Sequence, residues 1–293
     1  MKFTEYLHRH KPILLDGAMG TLLTERGYEL PAPVWSAKVL EEQREVITDT
    51  HREYLEAGAE LLTTVTFRTT EYVYGQIGKP ELARKLNYLA VRCARDAIGD
   101  RKNRFVAGSI APVEDCYRPD LVPDNETLYS EHRNQAGWLA DAGADCLLFE
   151  TMNSVREAAI CAQVGSEIGL PFFVSLIAQS EDELLSGEPI RDAIDGIAEY
   201  NPTGILVNCT SPEIITAILK RYAGQIPTQL GGYANLGFSE PEQGGDISEI
   251  QSPPDYVNEV DAWPKDSLIL IGACCGSSPE HIRELAKSLG KSG

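Results

Sequence analysis

Residues 54–62 read YLEAGAELL, residues 138–148 WLADAGADCLL and, more loosely, residues 164–174 VGSEIGLPFFV. Each stretch ends a helical pattern at a glycine and restarts at once as an apolar run. Gly58, Gly143 and Gly169 fit the left-handed residue that terminates a helix. The repeated unit is therefore a helix feeding a strand. Working outward, eight apolar runs bounded by turn residues read as strands: ILLD near 13, ELLTTVTF near 60, FVAGSI near 105, ADCLLFE near 144, FFVSLIA near 172, GILVNC near 204, TQLGGY near 228 and SLILIGA near 267. Most are almost continuously apolar, as parallel strands covered by helices are. Helical periodicity lies between them, clearest over 46–58, 81–98, 127–143, 155–169, 190–200 and 212–224, with 279–289 closing the chain. Eight such units in 293 residues predict an α/β fold, a single (β/α)8 barrel spanning 1–293 as one domain. The stretch 234–256, rich in Gly, Pro, Ser and acids, is expected to be a long loop over the barrel mouth.

The composition narrows the function classes. Lys and Arg number 26 against 44 Asp and Glu, a formal charge of −18. That balance repels nucleic acid and anionic membrane surfaces and favours cationic ligands. No apolar run is long enough to span a bilayer, and the start MKFTEYLHRHKP lacks the apolar stretch of a secretory signal. A cytoplasmic protein is expected. Seven cysteines at irregular spacing argue against a disulfide framework and for core thiols, a metal or a catalytic group.

Barrels of this kind carry their chemistry at the C-terminal ends of the strands. There the sequence places Asp16, Thr66 with Phe67, Glu150, Asn208 with Cys209, Tyr233 with Asn235, and Cys274 with Cys275. None of the five histidines and no lysine falls at a strand end, which counts against a His-rich hydrolase centre and a Schiff-base aldolase. A disulfide between the adjacent Cys274 and Cys275 would bridge Cα atoms about 3.8 Å apart, where relaxed disulfides need roughly 4.4–6.8 Å. Gly276 lets the backbone turn so that both thiols aim at one point, and Cys209 can reach the same mouth. Three thiolates with one open position make a catalytic zinc site, the alternative being small core cysteines. The matching continuations NCTSPE and CCGSSPE read as Ser, Pro and Glu at the N-cap, N1 and N2 of following helices. Helix N-termini near the thiols would favour thiolate. Cys93, Cys146 and Cys161 read as core, and Cys116 is undecided.

Asp16 and Glu150 close apolar strands, where an ionised carboxylate is costly unless it is paired. Either Arg68 is their structural partner, or they bind a substrate ammonium group. Gly17 and Ala18 offer backbone N–H groups to a substrate carboxylate, although a plain tight turn explains DGAMG equally well.

DGAMGT at 16, VWSAKVL at 34, AGAELLTTVTF at 57, LLFETM at 147, NCTSPE at 208 and GACCGSSPEHI at 272 resemble the homocysteine S-methyltransferase family, in order over nearly the whole chain. The resemblance implies a (β/α)8 barrel, zinc on Cys209, Cys274 and Cys275, and homocysteine as methyl acceptor, giving methionine. It also implies that Asp16 and Glu150 hold the ammonium group of the amino acid, with backbone around Gly17 and Ala18 near its carboxylate. VWSAK is similar to the branch that uses S-methylmethionine or S-adenosylmethionine rather than betaine. That branch usually follows its second strand with a Tyr-Gln pair, where this chain has Phe67-Arg68. A cationic sulfonium suits an acidic mouth, and Phe67, Tyr233 or Trp35 can contact it. The competing readings are a betaine or selenocysteine methyltransferase of the same family, and a barrel without turnover that uses its thiols as a metal store or redox sensor.

Overall fold

A computed structural model describes residues 1–9, 12–237 and 250–291. Its strands are β1 Ile13–Leu14, β2 Leu61–Thr63, β3 Phe105–Ile110, β4 Cys146–Met152, β5 Phe172–Leu176, β6 Gly204–Asn208, β7 Gln229–Ala234 and β8 Leu268–Ala273. They pair in parallel in the order β1-β8-β7-β6-β5-β4-β3-β2. The ends of that order meet: Leu15 bridges Leu61, Asp16 N–H donates to Leu61 O at 3.0 Å, and Glu60 N–H donates to Leu14 O at 2.8 Å. The sheet therefore closes into the expected (β/α)8 barrel.

The helices are α1 Phe3–Arg9, α2 Met19–Glu25, α3 Ala37–Glu42, α4 Arg44–Ala57, α5 Glu71–Gln76, α6 Leu82–Ile98, α7 Asn125–Asp141, α8 Val155–Ile168, α9 Ile190–Ala198, α10 Pro212–Tyr222, α11 Pro253–Asp261 and α12 Pro279–Ser288. Gly58, Gly143 and Gly169 all take positive φ, 111°, 96° and 81°, and so release the chain from α4, α7 and α8 into the next strand. Two expectations change. The strand read as ELLTTVTF ends at Thr63; the chain then folds into a turn in which Thr66 N–H donates to Thr64 O at 2.9 Å, so Thr66 and Phe67 lie beyond the sheet. The stretch 234–256 begins on the last residue of β7 and ends inside α11, whose Ser252 side chain caps Asp255 N–H. Of that stretch, 238–249 lies outside the described residues.

Alternation along the strands sorts the core into two layers. Leu14, Val106, Leu147, Phe149, Val174, Ile205 and Val207 pack outward against the helices. Ile13, Leu15, Phe105, Ala107, Cys146, Leu148, Phe173 and Leu206 fill the barrel interior. Helix α1 seals the N-terminal end of that interior with Phe3, Tyr6 and Leu7, and Phe3 lies 5.1 Å from the Phe105 ring. Below it, Glu60 accepts from Tyr6 OH and from Lys291 Nζ, both at 2.6 Å.

Candidate active site

The same alternation explains the polar layer at the other end. Continuing the inward positions, Ser109 on β3, Glu150 on β4, Ser175 on β5, Asn208 on β6 and Tyr233 on β7 come to one level above the apolar filling. All five are buried, and they join by hydrogen bonds. Ser109 and Tyr233 donate to the two oxygens of Glu150, the latter at 3.1 Å. Ser175 Oγ donates to Asn208 Oδ1 at 2.6 Å. Opposite, Asp16 accepts from Thr63 N–H at 2.8 Å and from Thr63 Oγ1 at 2.9 Å.

Above this layer lies a cavity of about 280 Å³, lined by Asp16–Thr21, Trp35, Phe67, Cys116, Tyr117, Glu150, Tyr233 and the thiols of Cys209, Cys274 and Cys275. Cys209 stands at φ 52°, an uncommon conformation for a residue with a side chain, and Gly276 at φ 80° turns the chain after the cysteine pair. The three sulfurs lie within 4.8 Å of one another, Cys209 to Cys275 at 3.7 Å and Cys274 to Cys275 at 4.0 Å. Two sulfurs bound at about 2.3 Å to a tetrahedral ion stand about 3.8 Å apart, so this spacing suits a metal. Hydrogen bonds from Cys274 and Cys275 hold the Cys209 thiol well below its ordinary pKa, and the same bonds push Cys274 up. Ser211-Pro212 and Ser278-Pro279 start α10 and α12 as read.

Asp16 and Glu150 have no cationic partner among the described residues. Arg68 is not that partner, because its Nη1 donates to Glu114 O at 2.9 Å and its guanidinium lies over the Trp35 ring. Burial therefore raises both carboxyls, Asp16 well above its ordinary range and Glu150 up to about 7. A cationic group entering the cavity would relieve that cost.

Not every residue expected at the site reaches it. Gly17, Ala18, Phe67 and Tyr233 line the cavity, but Ala18 N–H already donates to Ser277 Oγ at 2.9 Å. A Cβ on Gly17 would fall 2.6 Å from the same Ser277 Oγ, so the residue must be glycine for the turn to pack. Thr66 spends its hydroxyl on Ser109 O at 2.6 Å, Asn208 is consumed between strands, and Asn235 accepts from Gly237 N–H at 3.1 Å outside the cavity. Sequence reading passed over Tyr117, whose hydroxyl lies 3.2 Å from Cys209 Sγ. Its only signal was its place beside Cys116 in the polar loop after β3. Cys116, undecided from sequence, is buried and also lines the cavity. Described histidines 8, 51, 132 and 281 all sit in helices away from it.

The profile of the homocysteine S-methyltransferase family matches residues 13–289. The chain belongs to that family. It is a methyltransferase by that membership. It is 30% identical to homocysteine S-methyltransferase of Escherichia coli (strain K12) over 306 residues, covering 95% of this chain and 96% of that one. Homocysteine S-methyltransferase YbgG of Bacillus subtilis is 28% identical, with 94% and 93% covered. Selenocysteine methyltransferase of Astragalus bisulcatus is 27% identical, with 98% and 95% covered. Among solved structures, the metallated form of the homocysteine methyltransferase MmuM from Escherichia coli superimposes with a TM-score of 0.83 at 28% identity, over 97% of this chain and 98% of that one. The oxidised form of the same family member also gives a TM-score of 0.83.

Proposed function

We propose that this chain transfers a methyl group from a sulfonium donor, S-methylmethionine before S-adenosylmethionine, to the thiol of homocysteine, giving methionine. The observation that carries the reading is one cavity holding three clustered thiols and two buried carboxylates without a cation. Cys209, Cys274 and Cys275 would hold zinc, which when bound lowers the pKa of an acceptor thiol so that no separate base is needed. Asp16 and Glu150 bind the ammonium group of the acceptor, and Ser109, Tyr233 and Thr63 hold those carboxylates in place. The acceptor carboxylate faces backbone at Gly17 and the start of α2, which has no side-chain cap. Trp35, Phe67 and Tyr117 are left to face the donor. In the reaction the acceptor sulfur gains the methyl carbon as the donor's S–CH3 bond breaks, and the donor leaves as a neutral thioether. The barrel contributes proximity and alignment of the two sulfurs.

The barrel acts as a single domain, and thiol chemistry with seven free cysteines suits the reducing cytoplasm. Among the described residues no helix is long and apolar enough to cross a membrane. The similarity to selenocysteine methyltransferases supports a second acceptor, selenocysteine, an amino acid one methylene shorter with a selenol in place of the thiol. A redox sensor has no use for two ammonium-binding acids. Metal analysis of reduced protein, with a product assay on homocysteine and a panel of donors, tests the reading. One zinc per chain is expected, and Cys209→Ala loses metal and activity together. Full turnover by metal-free protein would overturn the zinc role, and preferential demethylation of betaine would overturn the donor.

A further inference from the structure

Arg68 follows Phe67 in the turn between β2 and α5 and is only 7% exposed. One of its donors is used, Nη1 to Glu114 O at 2.9 Å, while its buried Nε meets no acceptor. Among the described residues no carboxylate forms an ion pair with it. A guanidinium cannot shed its charge, so burying it without a counter-ion is unfavourable unless a ligand supplies one.

Its surroundings say where that ligand lies. The guanidinium carbon is 4.6 Å from the centre of the Trp35 ring, and Trp35 stacks on Phe67 at 5.7 Å and 12°. Both rings line the cavity, as does Cys116, whose thiol feels the Arg68 charge. The cavity thus carries uncompensated negative charge at Asp16 and Glu150, while Arg68, which does not itself line it, sets a positive charge behind its aromatic wall. On the function proposed above, on which this inference rests, the acceptor spans the thiols and the two acids. The aromatic wall is the part left to the donor.

We propose that Arg68 recognises a carboxylate on the methyl donor, so that the site selects sulfonium compounds that also carry an anionic group over simple alkyl sulfonium ions. Arg68 is then a specificity residue that leaves the transferred methyl untouched.

The test compares S-methylmethionine with trimethylsulfonium, which offers the same methyl without a carboxylate, in wild type and Arg68→Gln with homocysteine as acceptor. Expected are a KM for S-methylmethionine at least tenfold higher in the variant, a KM for trimethylsulfonium within twofold of wild type, and unchanged homocysteine KM and metal content. Arg68→Lys, which keeps the charge without the planar fork, falls between the two. It carries the comparison if Arg68→Gln does not fold, a loss of threefold or more confined to S-methylmethionine being the supporting result. Equal losses with both donors would show that Arg68 merely props Trp35 and would overturn the proposal. A rise confined to the homocysteine KM would overturn it too, by assigning the carboxylate to the acceptor. Wild-type protein that uses neither donor would instead defeat the underlying reading.

Discussion

Asn208 clasps Thr151 with both ends of its amide: Thr151 N–H donates to Asn208 Oδ1 and Asn208 Nδ2 donates to Thr151 Oγ1, each at 2.9 Å. Thr151 stands at φ 65° and Cys209, next to Asn208, at φ 52°. One side chain therefore braces the strained backbone beside an acid of the site and beside a thiol of the site. Asn208→Ala would leave Thr151 N–H unpaired in the interior and remove the acceptor of the Ser175 hydroxyl, at a cost of about 2–4 kcal/mol. Urea unfolding measures that loss, and competition with a chromophoric chelator is expected to show weaker metal binding. Adding Thr151→Gly should recover part of the loss, because glycine takes positive φ freely. Wild-type stability in Asn208→Ala would refute the bracing role.

Glu150 gives a pH signature. Its carboxyl is raised from 4.5 to about 7 by burial, so the linked stabilisation is fully present below 4.5 and lost as the pH rises through about 7. Ligand-free Glu150→Gln is expected to exceed wild type in stability at pH 8 by up to about 3 kcal/mol. An ammonium group needs the ionised form, so the homocysteine KM of wild type should rise as the pH falls below 7. In the variant it should be higher throughout and flat, the lost contact being worth about 1.5–3 kcal/mol. A flat wild-type profile from pH 6 to 8 would exclude this role.

His51, wholly buried in α4, has neither ring nitrogen hydrogen-bonded, and burial pulls its pKa down from 6.5 to about 4. The folded state keeps it neutral while the unfolded chain takes a proton. Its contribution is thus present above 6.5 and lost as the pH falls toward 4, about 3 kcal/mol in all. His51→Leu should be more stable at pH 7 and should lose less stability between pH 7 and pH 5. Parallel urea midpoints for the two proteins across that range would count against the assignment.

The strands and the three thiols were readable because their signals are local: apolar runs between turns, and sulfur at the ends of two of them. The polar layer was only half readable. Glu150 announces itself by its charge, whereas Ser109 and Ser175 pass as small residues in apolar runs until alternation places them level with it. Thr66 and Asn208 have the right chemistry near strand ends, but neighbours that are distant in sequence use up their polar atoms, and Asn235 turns to Gly237, two residues on, outside the cavity. Ser252-Pro253 is a helix-start signal at the end of 234–256, a stretch whose Gly, Pro and acids otherwise read as loop. Tyr117 reaches Cys209 across 92 positions, a proximity that no local pattern encodes.

The plug that α1 makes in the barrel floor has a kinetic consequence. Among the described residues, Phe3, Tyr6 and Leu7 fill that end, which leaves the cavity mouth as the way in for both reactants. On the proposed reading, the acceptor reaches the acids set into the top of the barrel and the donor stands in front of it. Loading is then compulsory in order, acceptor first, and the spent donor leaves before the methylated acceptor. S-Methylmethionine yields methionine from both partners, so product inhibition with S-adenosylmethionine as donor should reveal that queue: methionine competes with homocysteine for the free enzyme, whereas the spent thioether of that donor does not.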